Sequence, residues 1–263
     1  MLTRRQTLRM TPASLLSLGL WPGALSADEK AAQEVRFAVF NDLHVWDRRC
    51  TDWLAGVVKG LKGHKPDLVL LAGDLAEHGT AEQLSPVRDL FKTLGVPVHV
   101  VIGNHDWKST ADCKAFDEAF PKSRNYTFDH GGWQFVGLDS SHGVRSKVAV
   151  QPDTLSWLDD NLGKLDKKKP MVLFTHFPLG EMVPMRVTNP DAVGQRFKGY
   201  NLRAVFGGHH HGFTERKFRD VVLTTNRCCS FRAKNHDGTR EKGYFVCTAK
   251  EGTVTRKFVE VKV

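Results

Sequence analysis

The chain has 263 residues, 41% hydrophobic and 25% charged. That balance supports a globular core and excludes collagenous, disordered and membrane-spanning classes. The formal net charge of +9 falls to +6 once Arg4, Arg5 and Arg9 are set aside with the first 27 residues; the remaining positive field draws in anionic ligands without identifying them.

Residues 1–27 are read as a twin-arginine-type signal peptide. Thr3-Arg4-Arg5-Gln6-Thr7-Leu8 precedes an apolar run at 13–20 and a small-residue cleavage site near 24–27. Pro12 and Pro22 interrupt the run, which falls short of the ~20 residues a spanning helix needs. The mature chain, residues 28–263, is therefore expected to carry no transmembrane anchor and to work in the periplasm or otherwise outside the cytoplasm. Without an internal repeat or a Pro/Gly/Ser-rich linker, it is read as one catalytic domain.

Val35 to Phe40 forms the first predicted strand, 51–62 a helix, Leu68 to Leu71 a strand, Ala81 to Leu94 a helix and Val96 to Ile102 a third strand. Tyr126-Thr127-Phe128 and Trp133 to Leu138, joined through Asp129-His130-Gly131-Gly132, read as a hairpin. A helix at about 153–162 and a strand at Met171 to Thr175 follow. Basic Lys164 to Lys169 between them is a solvated turn. Later alternating segments, around 202–206, 213–218, 221–225, 229–232, 243–248 and 253–260, predict a second, more antiparallel sheet. The five cysteines, Cys50, Cys113, Cys228, Cys229 and Cys247, are too few and irregular for a disulfide scaffold. Cys228 and Cys247 are expected in strands as buried small hydrophobes.

Polar residues cluster where predicted strands end, the place at which open α/β sheets build their sites. Asp42-Leu43-His44 closes the first strand; in extended backbone the carboxylate and imidazole share a side while Leu43 turns into the core. Gly73-Asp74 closes the second, with two carboxylate oxygens able to bridge two cations. Gly103-Asn104-His105-Asp106 closes the third, offering an amide oxygen as a ligand and an imidazole beside it. His176 follows Met171 to Thr175. In Gly208-His209-His210-His211 the alternate histidines His209 and His211 can project together while His210 points away. Each motif alone is weak; a capping Asp, a Gly-Asn turn, a core His or a surface His tract explains it separately.

In this order, each after a β-like run, the motifs D-x-H, G-D, G-N-H-D, H and G-H-x-H resemble the calcineurin-like metallophosphoesterase superfamily over Val35 to at least Gly212. Within it the motif set is most similar to the branch containing class III cyclic-nucleotide phosphodiesterases. The resemblance implies a four-layer α/β/β/α sandwich of two packed mixed β-sheets flanked by helices. It implies two metal ions bridged by Asp74, with Asp42, His44 and His211 completing one site and Asn104, His176 and His209 the other. Carboxylate, amide and imidazole donors without thiolate suit Mn, Fe, Zn or Co. Two cations about 3.5–4 Å apart activate a bridging water and steady in-line displacement. His105 matches the non-ligand histidine of the family motif and is expected to serve the leaving group, with Asp106 as its orienter. His44 and Glu77 stand where purple acid phosphatases have Gly and Tyr, which removes their tyrosinate chemistry from consideration.

The expected activity is hydrolysis of small phosphate esters, a phosphodiesterase in preference to a phosphomonoesterase of broad specificity. The loops after the motifs carry Trp46, Trp107 and Phe177 in place of the arginine that monoester recognition favours. Trp46, His78, Trp107 and Arg186 are candidates for the rim of the site. A nuclease would need a long basic groove and sits poorly with export. A catalytically dead scaffold should have lost ligands, and all seven are present.

Overall fold

The structure, a computed structural model, describes residues 33–262, so the expected signal segment at 1–27 lies outside the described residues. Residues 35–101 form β-α-β-α-β, as the periodicity predicts: β1 (Val35–Phe40), α1 (Arg48–Leu61), β2 (Leu68–Ala72), α2 (Ala81–Lys92) and β3 (Val98–Val101). β1 is parallel to β2 and β2 to β3. Every residue of β2 is buried, which explains why it reads as a continuous apolar run without alternation. At the start of α1 the Asp47 side chain accepts from Cys50 N and fixes the turn after the first strand.

The hairpin is present as β4 (Tyr126–His130) and β5 (Trp133–Leu138), followed by α4 (Pro152–Asn161), β6 (Met171–Thr175), β7 (Leu202–Gly207), β8 (Thr214–Phe218) and β9 (Val221–Thr225). Their order is β4-β5-β6-β7-β9-β8. The four inner strands are parallel and the two edges antiparallel. The last strands, β10 (Lys242–Lys250) and β11 (Thr253–Val261), do not join this sheet as expected. They return to the free edge of β1, giving β11-β10-β1-β2-β3. Alternation reports that a strand has one covered face, not which edge it pairs with. The expected strand at 229–232 is also absent. Residues 226–241 have no regular structure, and Cys229 N donates to Asn41 O instead of entering a ladder. All five cysteines are buried and unpaired, Cys247 within β10 but Cys228 in this irregular segment.

Phe37, Leu70, Val101, Phe135, Val172, Phe174, Phe206 and Phe245 fill the space between the two sheets. Leu54, Val58, Leu84 and Phe91, with Phe116 of α3 (Lys114–Ala119), pack on the outer face of the first sheet. Leu158 of α4 and Val193 of α5 (Pro190–Arg196) pack on the outer face of the second. The result is the expected α/β/β/α stack. The carboxyl ends of β1, β2, β3, β6 and β7 meet at one end of it.

Candidate metal centre

Asp42, His44, Asp74, Asn104, His176, His209 and His211 all lie just beyond those strand ends, and all are buried. The backbone does not hold them by extended alternation. Asp42, His44, Asp74, His209 and His211 have φ of 54°, 45°, 52°, 63° and 46°. Each left-handed non-glycine residue costs roughly 1–3 kcal/mol, strain that persists only where the surroundings fix the conformation. Leu43 turns into the core as expected, at 2% exposure. Gly73 is required in its place. Its φ is 82°, and a Cβ there would stand 2.7 Å from His176 Nδ1 and 2.8 Å from Gly103 N.

Two groups form around a shared carboxylate: Asp42, His44, Asp74 and His211 in one, Asp74, His176 and His209 in the other. Asn104 joins the second, its Oδ1 3.2 Å from His176 Nε2. The hydrogen bonds fix which ring atoms face inward. His211 Nδ1 donates to Lys234 O at 2.9 Å and His176 Nδ1 to Ala72 O at 2.9 Å, while His44 Nδ1 pairs with Glu77 Oε2 at 2.7 Å. A carbonyl oxygen only accepts, so in the neutral rings the inward Nε2 atoms are bare lone pairs. His44 Nε2 and His211 Nε2 stand 3.1 Å apart. His176 Nε2 faces Asp74 Oδ2 at 3.2 Å. Acceptors aimed at one another across such distances repel unless a cation lies among them, so the donor set fits metal ions.

Without a metal ion, protons on two of the rings take the place of its charge. Burial opposes charging the imidazoles, yet Asp74 and Asp42 outweigh it and raise His176 to about 9; Asp42 likewise raises His211 to about 11. Although burial works against ionisation, the neighbouring histidines hold Asp42 and Asp74 below the usual carboxylate range. His209, lowered to about 4 by burial and by His176, is a neutral ring with a free lone pair.

His105 N donates to Asp74 Oδ1 at 2.8 Å, and its ring, edge-on to His44, lines the cavity. Its Nδ1 is held by Glu77 O at 3.0 Å, with Glu77 Oε1 3.7 Å away. The orienter expected from the sequence, Asp106, does not take this part. Its carboxylate is fully buried and accepts from Leu75 N, Ala76 N and Gly103 N at 2.7, 2.9 and 2.9 Å. Burial and the Asp74 charge push its carboxyl up to about 7, while the amides pull the other way. Asp106 clasps the loops after β2 and β3 together. Glu77 was not singled out as an orienter from the sequence; the only signal was its position three residues after Asp74.

The cavity over the centre, about 340 Å³, is lined by His44, Asp74, Glu77, Asn104, His105, His209 and His211, then outward by Trp46, Ser146, Met185, Arg232, Ala233, Lys234 and His236. Trp46 is 48% exposed and touches His78 edge-on. Trp107 is buried, its Nε1 donating to Ser141 Oγ at 2.9 Å with Arg124 over its ring, so it is a packing residue. Arg186 donates to Gly180 O and is not among the lining residues. Phe177 is buried against the His209 ring. The cationic side chains at the mouth are Arg232 and Lys234, from a segment that sequence reading assigned in part to a strand.

The family model for calcineurin-like phosphoesterases matches residues 35–213, about two thirds of the chain. The chain belongs to the calcineurin-like phosphoesterase family. It is therefore a metal-dependent phosphoester hydrolase, and the shared-carboxylate cluster fits the family's two metal ions. Among relatives of this phosphoesterase is a probable cyclic nucleotide phosphodiesterase of Synechococcus sp., 31% identical over 68% of this chain and 74% of that protein. Another is the glycerophosphodiester phosphodiesterase GpdQ of Enterobacter lignolyticus, 27% identical over 65% of this chain and 66% of that protein. A dimetal phosphatase from Danio rerio shares the fold, with a TM-score of 0.66, 16% identity, and coverage of 85% of this chain and 95% of that one.

Proposed function

We propose that this phosphoesterase is an exported phosphodiesterase in which Asp42, His44 and His211 hold one metal ion, Asn104, His176 and His209 hold the other, and Asp74 bridges them. The observation that carries the ligand assignment is the set of inward lone pairs, above all His44 Nε2 and His211 Nε2 at 3.1 Å with both Nδ1 atoms already engaged. The two cations, when bound, supply Lewis-acid activation of water and of the phosphoryl oxygens.

The chain's own residues do the rest. Ala72 O, Lys234 O and the Glu77 carboxylate lock three ligand rings in the required tautomer and orientation. His105, with Nδ1 tied to Glu77 O, lines the cavity, where its ring can pass a proton to the departing oxygen. Asp106 keeps Gly103 and the Leu75-Ala76 turn in register, and so sets the separation of Asp74 from Asn104.

The diester assignment is supported by the names of two relatives, a probable cyclic nucleotide phosphodiesterase and a glycerophosphodiester phosphodiesterase. It is also supported by the exposed Trp46 indole on the cavity wall, a surface for an organic substituent. The test is kcat/KM for bis(p-nitrophenyl) phosphate against p-nitrophenyl phosphate at one metal and pH, followed by 2′,3′- and 3′,5′-cyclic nucleotides. A preference for the monoester overturns the diesterase reading. Activity on the simple diester without either cyclic nucleotide keeps it and discards a cyclic-nucleotide substrate.

The export part of the proposal rests on residues 1–27 alone, with Arg4-Arg5 ahead of an apolar run. Among the described residues no helix is long and apolar enough to cross a membrane.

A further inference from the structure

The wall of the cavity opposite in chemistry to the ligand cluster is the irregular segment between β9 and β10. It is not a loose loop. Ser230 Oγ accepts from Arg232 N and Ala233 N at 3.3 and 3.0 Å. Asn235 is buried, its Oδ1 accepting from Cys228 N and its Nδ2 donating to Glu241 O at 2.8 Å. Lys234 O accepts from the Nδ1 of His211, and His236 N donates to His211 O at 3.1 Å. The His236 ring stacks on the His211 ring at 4.6 Å and 8°.

The outcome of these ties is an alternation without a strand. Asn235 is buried as the anchor, while Arg232, Lys234 and His236 are exposed and line the cavity. Arg232 is held in place by an ion pair with Asp47 and lies over the Trp46 ring at 5.7 Å. Lys234 is different: its backbone is pinned to a ligand histidine, its side chain lies at the mouth, and it has no ion-pair partner among the described residues. Among the described residues the only carboxylates lining the cavity are Asp74 and Glu77, of which Asp74 belongs to the metal cluster and Glu77 is bonded to His44. Among the described residues nothing anionic on this wall answers the Lys234 ammonium. A cation on a pinned backbone loses less freedom on pairing than one on a mobile loop.

Resting on the phosphodiesterase reading, we infer that the Arg232–His236 segment is a specificity subsite for a second negative charge. The preferred substrates are then phosphodiesters in which one arm carries its own anionic group, a carboxylate or a further phosphate, set against Lys234. The scissile diester supplies one negative charge to the metal centre and the arm supplies another to this wall. That reconciles a diester site with cations at its mouth.

The experiment compares two p-nitrophenyl phosphodiesters whose second arm ends in a carboxylate or in choline, with wild type, Lys234→Met and Lys234→Glu, metal-loaded, at low and high salt. Wild type should prefer the carboxylate ester, with the preference shrinking as salt rises. Lys234→Met should cut that preference by about fivefold, the upper end for an exposed charge pair, and Lys234→Glu by roughly the square of that factor. Asn235→Ala, which frees the anchor, should weaken the preference through KM with Lys234 still present. Hydrolysis of both esters with the same preference in wild type and Lys234→Glu overturns the subsite and leaves the phosphodiesterase reading standing. Hydrolysis of neither ester by wild type overturns both.

Discussion

Glu77 is the most informative single position to perturb, because it contacts both His44 and His105 without belonging to the proposed ligand set. Its Oε2 is 2.7 Å from His44 Nδ1, and its own backbone oxygen holds His105 Nδ1 at 3.0 Å. The carboxylate is held below its ordinary range; burial opposes this, but the bond to His44 prevails. Glu77→Gln keeps an acceptor for Nδ1 and the backbone bond to His105, and removes only the charge that makes the His44 ring a better donor to a cation. Partners of metal-bound histidines are worth about 10–100-fold in metal affinity. The Gln variant, which retains a hydrogen bond, belongs near tenfold, or about 1.4 kcal/mol. Glu77→Ala, which frees the ring to rotate, belongs near ~100-fold. The side chain is 20% exposed, so neither variant leaves a sealed cavity, and thermal unfolding of the metal-free protein should move little. Metal affinity is read by competition against a chelator of known affinity, with metal content per chain counted after desalting. Two ions retained at wild-type affinity in both variants would refute the orienting role and weaken the assignment of His44 as a ligand.

Asp74→Asn should lose at least one metal equivalent and most activity, since Asp74 alone is shared by both groups; unchanged metal content and turnover would discard the bridge. His105→Ala should keep both metals while kcat falls by ~10²–10⁴, the span for general acid–base groups. Asp106→Ala orphans three buried backbone amides; at about 1–3 kcal/mol each, the metal-free fold should lose several kcal/mol in denaturant titration. His99, stacked on Phe128 at 3.4 Å, is lowered to about 4 by burial and by His130. An unfolded His binds its proton below about 6.5, so stability should fall as pH drops from 6.5 towards 4, and His99→Phe should flatten that part of the Tm profile of the metal-free protein. Arg4→Lys with Arg5→Lys should leave unprocessed precursor in the cytoplasm; normal processing in a fractionation blot would remove the twin-arginine reading.

The proposed ligands are legible as an ordered set and not singly, because metal-ligating chemistry is confined to a few side chains, and because strand ends are marked by where an apolar run stops. The first five elements and the β4–β5 hairpin were legible for the same reason: period and turn residues are local. The reading that Asp42 and His44 share a face was right in outcome and wrong in cause. Their left-handed backbone at φ 54° and 45° is imposed by the packing of neighbouring loops, and no tripeptide announces it. Asp106 was given to His105 because the two adjoin in sequence, whereas its carboxylate reaches back some thirty residues to the β2 turn. The joining of β10 to β1, which leaves 226–241 spanning the mouth of the site, depended on which sheet edge remained open. Lys234 therefore reads as an ordinary surface lysine until His211, 23 residues earlier, takes its carbonyl. Sequence by itself determined the ligand chemistry, the order of the motifs and the family resemblance, since each is carried by residue type and spacing. The tertiary structure alone decided the partners of those residues, because hydrogen bonds act over about 3 Å in space and take no account of separation along the chain.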